Sequence, residues 1–193
     1  TPLVNSYGVI EYGRNSNFGY IYGCAPGFRA IQGVNMVSGR FFNEEEYNSE
    51  RKVVVIDEPT AMNFFGSTDV AGLEVDIYSY AREHVITTRA KIVGVCKNPN
   101  ATFFYEGMNS MMYMPCTLVN RLFYEGDKTI SDVYLKVADP AQKDSISSVA
   151  LSAIEARHNA RGRDAYTVQD MMGDVDQMNQ MIGMIQTLVA AVA

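Results

Sequence analysis

Four consecutive β-branched residues, Val53-Val54-Val55-Ile56, run straight into Asp57-Glu58-Pro59-Thr60-Ala61-Met62-Asn63-Phe64-Phe65-Gly66, and this junction constrains the fold more than any other stretch of the chain. β-Branched side chains are stiff at χ1 and pack well on a pleated surface, so the run is a strand; being apolar on both faces, it is a buried one. Asp57 then offers a side-chain acceptor to the free N–H groups of a helix start. Pro59 sits where no N–H is needed, and Gly66 tolerates the left-handed turn that ends a helix. A buried strand feeding a short capped helix requires a fold that mixes the two.

Shorter patterns supply the other elements. Residues 3–12, with Val4, Val9 and Ile10, and residues 18–24, Phe18-Gly19-Tyr20-Ile21-Tyr22-Gly23-Cys24, read as two strands of a hairpin around Gly13-Arg14-Asn15-Ser16-Asn17. Gly39-Arg40-Phe41-Phe42 is a glycine turn leading into an aromatic pair and the acidic stretch Glu44-Glu45-Glu46. Leu73-Glu74-Val75-Asp76-Ile77-Tyr78 alternates apolar and acidic residues, as a half-exposed strand does. Arg89-Ala90-Lys91-Ile92-Val93-Gly94-Val95-Cys96 is its antiparallel partner, with residues 79–88 as the connection. Met111-Met112-Tyr113-Met114-Pro115 makes a short strand ended by proline.

Residues 131–137 alternate as another strand. Asp139, Pro140 and Gln142 then set a capping box for a helix whose Ile146, Val149, Ala150, Ala153 and Ile154 share one face up to Arg157-His158-Asn159. Ala165-Tyr166-Thr167-Val168 reads as a closing strand, and Gln169 to Ala193 as a long helix. This order argues for an α+β fold rather than a doubly wound sheet. The turn at Gly39-Arg40 and the compositional break at Gly126-Asp127-Lys128 bracket an all-β middle. The expected organisation is therefore two lobes: residues 1–38 and 128–177 form a discontinuous α+β lobe, residues 39–127 an inserted β-rich lobe, and residues 178–193 the start of a membrane-proximal or transmembrane helix.

With 193 residues the chain can bury a core without disulfides. Sixteen Lys and Arg against 22 Asp and Glu leave a net charge of −6, a field that repels phosphate backbones and disfavours nucleic acid as a partner. Cys24, Cys96 and Cys116 contain no Cys-x-x-Cys pair, and His84 and His158 lie far apart. Neither a disulfide framework nor zinc-ligand spacing can be drawn from them.

Catalytic chemistry finds no foothold. There is no Gly-x4-Gly-Lys-[Ser/Thr] cradle for phosphates and no Gly-x-Ser-x-Gly elbow for a nucleophile, and no catalytic, cofactor or metal residue is assigned. His158, in the last turn of its helix, reads as a dipole partner or surface residue rather than a base, and His84 beside Glu83 as an exposed one. Adjacent carboxylates point in different directions, so Glu44-Glu45-Glu46 reads as a solvated acidic turn rather than a calcium site. Met108, Met111, Met112 and Met114 could offer thioethers to Cu(I), but strand alternation puts Met112 and Met114 on one face and Met111 on the other, which reads as core filling. The cysteines read as small buried hydrophobes.

One segment invites a partner. Phe103-Phe104-Tyr105 are three consecutive aromatics in a loop set by Pro and Asn, and they cannot all face one core. They either pack between the lobes or form a contact surface.

The ends carry a second signal. Met178, Met181, Ile182, Ile185, Leu188, Val189 and Val192 recur at helical spacing, and from Met181 to Ala193 the only polar side chains are Gln186 and Thr187. The run is shorter than a span needs and has no C-cap, which favours the first turns of a transmembrane helix over a core helix. Thr1-Pro2-Leu3-Val4-Asn5 has no basic or apolar leader character, so the chain reads as an excised fragment.

Gly39-Arg40-Phe41-Phe42 with Glu44-Glu45-Glu46, then Val53-Val54-Val55-Ile56, Phe65-Gly66, Gly72, Ile92-Val93-Gly94-Val95 and Tyr113-Met114-Pro115, stand in an order that resembles the MacB-like periplasmic core domain of ABC-transporter permeases of FtsX-like architecture. Asp139-Pro140, the helix ending Arg157-His158 and the apolar C-terminus match as well, so the resemblance covers nearly the whole chain. It departs in the short N-terminus, which lacks the polar helix that usually follows the first transmembrane span.

The resemblance implies a porter-like lobe near the membrane and a sabre-like β-rich lobe farther out, between flanking transmembrane helices on the extracytoplasmic side of the cell membrane. It implies a domain without catalysis of its own or a cofactor, which couples the cytoplasmic ATPase cycle to export or extraction of a peptide, lipid-linked or drug substrate. The implied partners are an ABC ATPase subunit, a second permease copy in a dimer, and an extracytoplasmic partner protein. The competing expectation is a stand-alone binding module anchored by one C-terminal helix; an extracytoplasmic hydrolase is a weaker third.

Overall fold

The computed structural model describes residues 1–81, 84–98, 108–124 and 130–170. The chain divides into two compact units, Thr1–Lys136 and Val137–Ala193.

Among the described residues the first unit has eight strands: β1 (Pro2–Tyr12), β2 (Asn15–Cys24), β3 (Met36–Gly39), β4 (Val53–Asp57), β5 (Glu74–Ala81), β6 (His84–Cys96), β7 (Met108–Pro115) and β8 (Asp132–Val133). The helices described with them are α1 (Phe28–Gln32), α2 (Glu44–Asn48), α3 (Glu58–Phe65) and α4 (Cys116–Phe123). β1 and β2 form the expected hairpin, pairing from Leu3 opposite Cys24 to Tyr12 opposite Asn15. β5 and β6 form the expected antiparallel pair. β2 runs parallel to β7, β7 antiparallel to β4, and β4 parallel to β6. Because β1 also pairs with β5, from Gly8 opposite Ser79 to Glu11 opposite Asp76, the order β1-β2-β7-β4-β6-β5 returns to β1 and closes a ring of six strands. β8 adds to β1, and β3 to β6. Closure leaves these six with few unpaired edges.

Alternation sorts the side chains of the ring. Val4, Ile10, Ile21, Val54, Ile56, Val75, Ile77, Ala90, Ile92, Met112 and Met114 fill one core with Leu118, Val119 and Phe123 of α4. Leu3, Cys24, Val53, Val55, Val93, Met111 and Tyr113 form a second cluster with Phe28, Phe41 and Phe42. Each such fully buried aliphatic or aromatic side chain contributes about 1.5–3 kcal/mol. The close approach of β2 to β7 explains one glycine: a β-carbon on Gly19 would overlap the Ser110 carbonyl.

The expected division of the chain differs from the pairing observed. Residues 1–38 do not stand apart from 39–127: β1 and β2 share one ring with β4, β5, β6 and β7, and the unit boundary falls after Lys136. The cause is that β1 uses both edges, a property of pairing that local alternation does not encode. Residues 131–137 form strand only at Asp132–Val133, and residues 165–168 form none. Glu44–Glu46 are not a solvated turn but the first turn of α2, and α4 occupies residues to which the sequence pattern assigns no element.

In the second unit a 3₁₀ turn at Pro140–Gln142 leads into α5 (Lys143–Arg157). Asp139 accepts from the Ala141 N–H at 3.0 Å, while Gln142 reaches the Asp139 carboxylate instead of its backbone, so the expected capping box is replaced by a simple aspartate cap. The expected apolar face of α5 buries no side chain, and Val149 is 67% exposed. Gln169 and Asp170 are not helical, and the remainder of the expected C-terminal helix, residues 171–193, lies outside the described residues. Among the described residues no helix is long and apolar enough to cross a membrane.

Candidate interaction surface

The outer face of the β1–β2 hairpin carries a continuous row of aromatic rings. Along β2, Gly19, Ile21 and Gly23 are buried, while Phe18, Tyr20 and Tyr22 lie on the other face. Register places Tyr7 opposite Tyr20, Asn5 opposite Tyr22, and Tyr22 beside Tyr113 of β7. Tyr7 and Phe18 have nearly parallel planes, 4° apart at 6.4 Å, and Tyr7 meets Tyr20 at 5.0 Å. Tyr20 and Tyr22 follow at 6.3 Å, and Tyr22 and Tyr113 at 5.5 Å. Tyr113 then touches Phe28 and Phe41, the latter stacked on Phe42.

The row runs from solvent to core. Tyr7 is 53% and Phe18 43% exposed, whereas Tyr113 and Phe42 are buried. Each ring pair adds about 0.5–1.5 kcal/mol beyond its burial, so the inner rings hold the outer ones in place. Burial, followed by the neighbouring phenols of Tyr20, Tyr134 and Tyr7, raises the Tyr22 hydroxyl above the ordinary tyrosine range. The period-two spacing of Phe18, Tyr20 and Tyr22 was the sequence signal for this row; the register that adds Tyr7 and Tyr113 was not available from it.

The contact role expected for Phe103, Phe104 and Tyr105 concerns residues outside those described. The flanks of that segment are described. The Asp57 carboxylate accepts from the Asn98 amide at 2.7 Å, from the Thr60 N–H at 3.2 Å and from the Met111 backbone. One buried acid at the N-terminus of α3 thus holds the chain on both sides of residues 99–107. Thr60 strengthens the β7 side by donating from its hydroxyl to that of Ser110 at 2.6 Å.

The residues weighed for catalysis and metal binding take structural positions. Glu46 closes a capping box with Asn43 and pairs with both terminal nitrogens of Arg40 at 2.7 and 2.8 Å. The Arg40 hydrogen bond is the largest cause holding its carboxyl below the usual range. Met112 and Met114 lie in one core cluster and Met111 in the other, the face assignment expected from alternation. Cys24, Cys96 and Cys116 are free and buried; burial pushes the Cys96 thiol up to about 12 and the other two upward as well. His158 caps the end of α5 with its ring 5.6 Å from Tyr166, and the side chain of His84 lies outside the described set. Among the described residues no three His, Cys, Asp or Glu side chains gather to hold a metal ion. A surface notch of about 270 Å³ is lined by Glu11, Tyr12, Gly13, Glu74, Asp76 and Arg89. Its Arg89 is already engaged by Asp76 at 2.8 Å.

Residues 1–151 match the family model for the MacB-like periplasmic core domain. The macrolide export ATP-binding/permease protein MacB of Neisseria gonorrhoeae is 23% identical over 197 residues, and the probable syringafactin export ATP-binding/permease protein SyfD of Pseudomonas syringae pv. syringae 21% over 195. Each alignment covers all of this chain but only 28% of the relative. Among solved structures, the extracellular domain of the noncanonic ABC-type transporter YknZ from Gram-positive bacteria superposes with a TM-score of 0.67 at 18% identity, over 88% of this chain and 79% of that one. The periplasmic region of MacB from Actinobacillus actinomycetemcomitans gives 0.55 at 18% identity, over 79% and 65%. The mixed α+β architecture is thus the one found in these extracytoplasmic domains, and the chain belongs to the MacB-like periplasmic core domain family, an extracytoplasmic part of membrane-bound ABC-transporter permeases.

Proposed function

We propose that this domain transmits conformational change between the membrane-embedded part of an ABC-transporter permease and the extracytoplasmic space. In this way it couples ATP hydrolysis on a separate subunit or domain to export or extraction of a peptide, lipid-linked or drug substrate. The observation that carries this reading is the family match over residues 1–151. The closed ring of six strands supports it physically, since a sheet with paired edges moves as one body and passes displacement on rather than absorbing it. The partners that follow are an ATPase subunit or domain, a second permease copy in a dimer, and an extracytoplasmic protein that receives or delivers the substrate. The flanking membrane helices belong to the same proposal.

A test that needs no knowledge of the substrate uses the buried cysteines. Because all three thiols of this chain are buried, a single Arg14→Cys at the exposed hairpin turn is the reactive thiol of this domain once any cysteine elsewhere in the full-length permease is replaced by serine. In the full-length permease with its ATPase, the distance between labels on two copies is measured by electron spin resonance in the nucleotide-free and ATP-bound states. The reading expects two copies and a nucleotide-dependent distance. An unchanged distance in a protein that hydrolyses ATP normally would overturn it.

A further inference from the structure

We propose that the free edge of residues 131–136 pairs with the same edge of a second copy of this chain, antiparallel and centred on Tyr134. The inference names the surface on which the second permease copy of the proposed function sits, and rests on that reading for the copy being there. Tyr134 continues the pairing of β8 past Val133: it exchanges both backbone groups with Thr1, donating at 2.9 Å and accepting at 2.7 Å, while Asp132 lies opposite Leu3. Alternation then turns the N–H and C=O groups of Val133 and Leu135 away from β1, where they meet no partner among the described residues. Their side chains are uncovered as well. Val133 is 49% and Leu135 56% exposed, whereas Tyr134 between them packs its ring 5.6 Å from Phe28. The segment is anchored on one face and bare on the other and along its rim, the condition in which a sheet edge takes up another strand.

The order of side chains selects the occupant, because Asp132-Val133-Tyr134-Leu135-Lys136 is its own complement. Turned about a two-fold axis at Tyr134, Asp132 stands opposite Lys136 of the second copy and Val133 opposite Leu135, and both pairs recur on the other side of the axis. Val133 and Leu135 then exchange about four main-chain hydrogen bonds with the second copy, using the groups left free here. The charges are available for this: Lys136 is exposed and has no ion partner among the described residues, and Asp132 accepts there only from the neutral Asn5 amide at 2.9 Å. Shifting the pairing by two residues, the next register that keeps the free groups facing, sets Asp132 against Tyr134 or Ala138 and loses both ion pairs, so charge fixes the register. One short strand pair is smaller than the interface of a stable free dimer. Two copies held in one transporter meet at a high effective concentration, which supplies what the small area lacks.

The experiment uses the full-length permease with its ATPase in membrane vesicles, with any cysteine outside this chain replaced by serine; the three thiols of the chain itself are buried. Copies carrying Val133→Cys and copies carrying Leu135→Cys are produced together and oxidised with copper phenanthroline. Directly opposed residues lie about 5.5 Å apart at Cα, within disulfide reach, whereas like residues across the axis are about 7–8 Å apart. The mixed dimer is therefore expected to form about fivefold more than either like-with-like dimer. Asp132→Lys and Lys136→Asp are each expected to reduce it about threefold, and the two together to restore it, which a misfolded protein would not do. Equal cross-linking of all pairs, or charge reversals without effect, would overturn the proposal. So would cross-linking of Leu135→Cys to Thr167→Cys of its own chain, which would give the edge to residues 165–168. The Arg14→Cys labels separate the two readings: two copies that respond to nucleotide but do not cross-link here overturn this pairing alone, and a single copy overturns the proposed function with it.

Discussion

The Asn98 side-chain amide donates to the carboxylate of Asp57 across 2.7 Å, in a site where Asp57 is only 1% exposed. The donors that hold this buried acid, the Thr60 N–H, the Asn98 amide and the Met111 N–H, are all uncharged. Burial is accordingly the largest influence on Asp57 and raises its pKa, with the hydrogen bonds opposing it. The acid does two jobs at once, capping α3 and fastening the flanks of residues 99–107.

The sign of its pH dependence follows. A carboxyl whose folded pKa lies above its unfolded value binds its proton more tightly in the folded state, so its contribution to stability improves as pH falls through the raised folded pKa and is lost as pH rises. Asp57→Asn removes the charge and keeps one cap acceptor while its amide nitrogen faces a donor, and is expected to flatten this slope at a smaller cost than Asp57→Ala. Asp57→Ala leaves three donors unmatched and is expected to cost about 1–3 kcal/mol. Urea unfolding of both variants between pH 4.5 and 7.5 checks the pair; a steeper slope for Asp57→Asn would contradict the assignment.

Glu46 should behave in the opposite sense. Its carboxyl is held low, first by the Arg40 hydrogen bond, so its stabilisation is present above the unfolded carboxylate pKa and lost as pH falls toward the lowered folded value. With Arg40 about half exposed, the pair is discounted for solvent. Glu46→Gln, which retains the capping geometry, is expected to cost about 0.5 kcal/mol at pH 7 and nothing measurable near pH 3. The exposed Arg89–Asp76 pair serves as a comparison: Arg89→Ala is expected to leave the urea midpoint unchanged within error.

The thiols give a third expectation. Burial holds Cys96 at about 12 and raises Cys24 and Cys116, so almost no thiolate exists at pH 8. Cys116 is further engaged by the Tyr47 hydroxyl at 3.2 Å. The native chain is expected to react with less than one equivalent of an aromatic disulfide reagent in an hour, and with all three equivalents once denatured. Rapid native labelling of one thiol would show that its surroundings open.

Local chemistry made some elements legible and pairing hid others. α3 was readable because Asp57, Pro59 and Gly66 mark both its ends in sequence, and each takes the expected place. α4 was not: Pro115 ends β7 and begins the helix with no side-chain cap, so the sequence shows a stop but no start. Its amphipathic spacing, Cys116, Val119, Asn120 and Phe123, is one turn pair long and competes with the strand signal just before it. Residues 131–137 alternate like a strand, yet ladder partners exist only at Pro2 and Leu3, and alternation cannot reveal a missing partner. The same limit concealed the ring closure and the aromatic row. Phe18, Tyr20 and Tyr22 share a face by local rule, but Tyr7 and Tyr113 join them only through register with β1 and β7.

The tightness of that register yields the last expectation. β2 can lie against β7 only because Gly19 has no β-carbon: one placed there would overlap the Ser110 carbonyl and crowd its Cβ at 2.8 Å. Backbone cannot move aside as a flexible side chain can, so Gly19→Ala must push the strands apart. Overpacking of this kind costs about 1–3 kcal/mol. Ser110 also receives the Thr60 hydroxyl, so the shift should weaken the contact between α3 and β7 as well. Gly27→Ala provides the contrast, since nothing lies within 4 Å of its β-carbon position and its φ of −62° suits alanine. That change is expected to be neutral or to stabilise by up to about 1 kcal/mol through the unfolded state. Thermal unfolding of the two variants side by side is the measurement. A Gly19→Ala protein as stable as the parent would mean that β2 and β7 do not approach this closely.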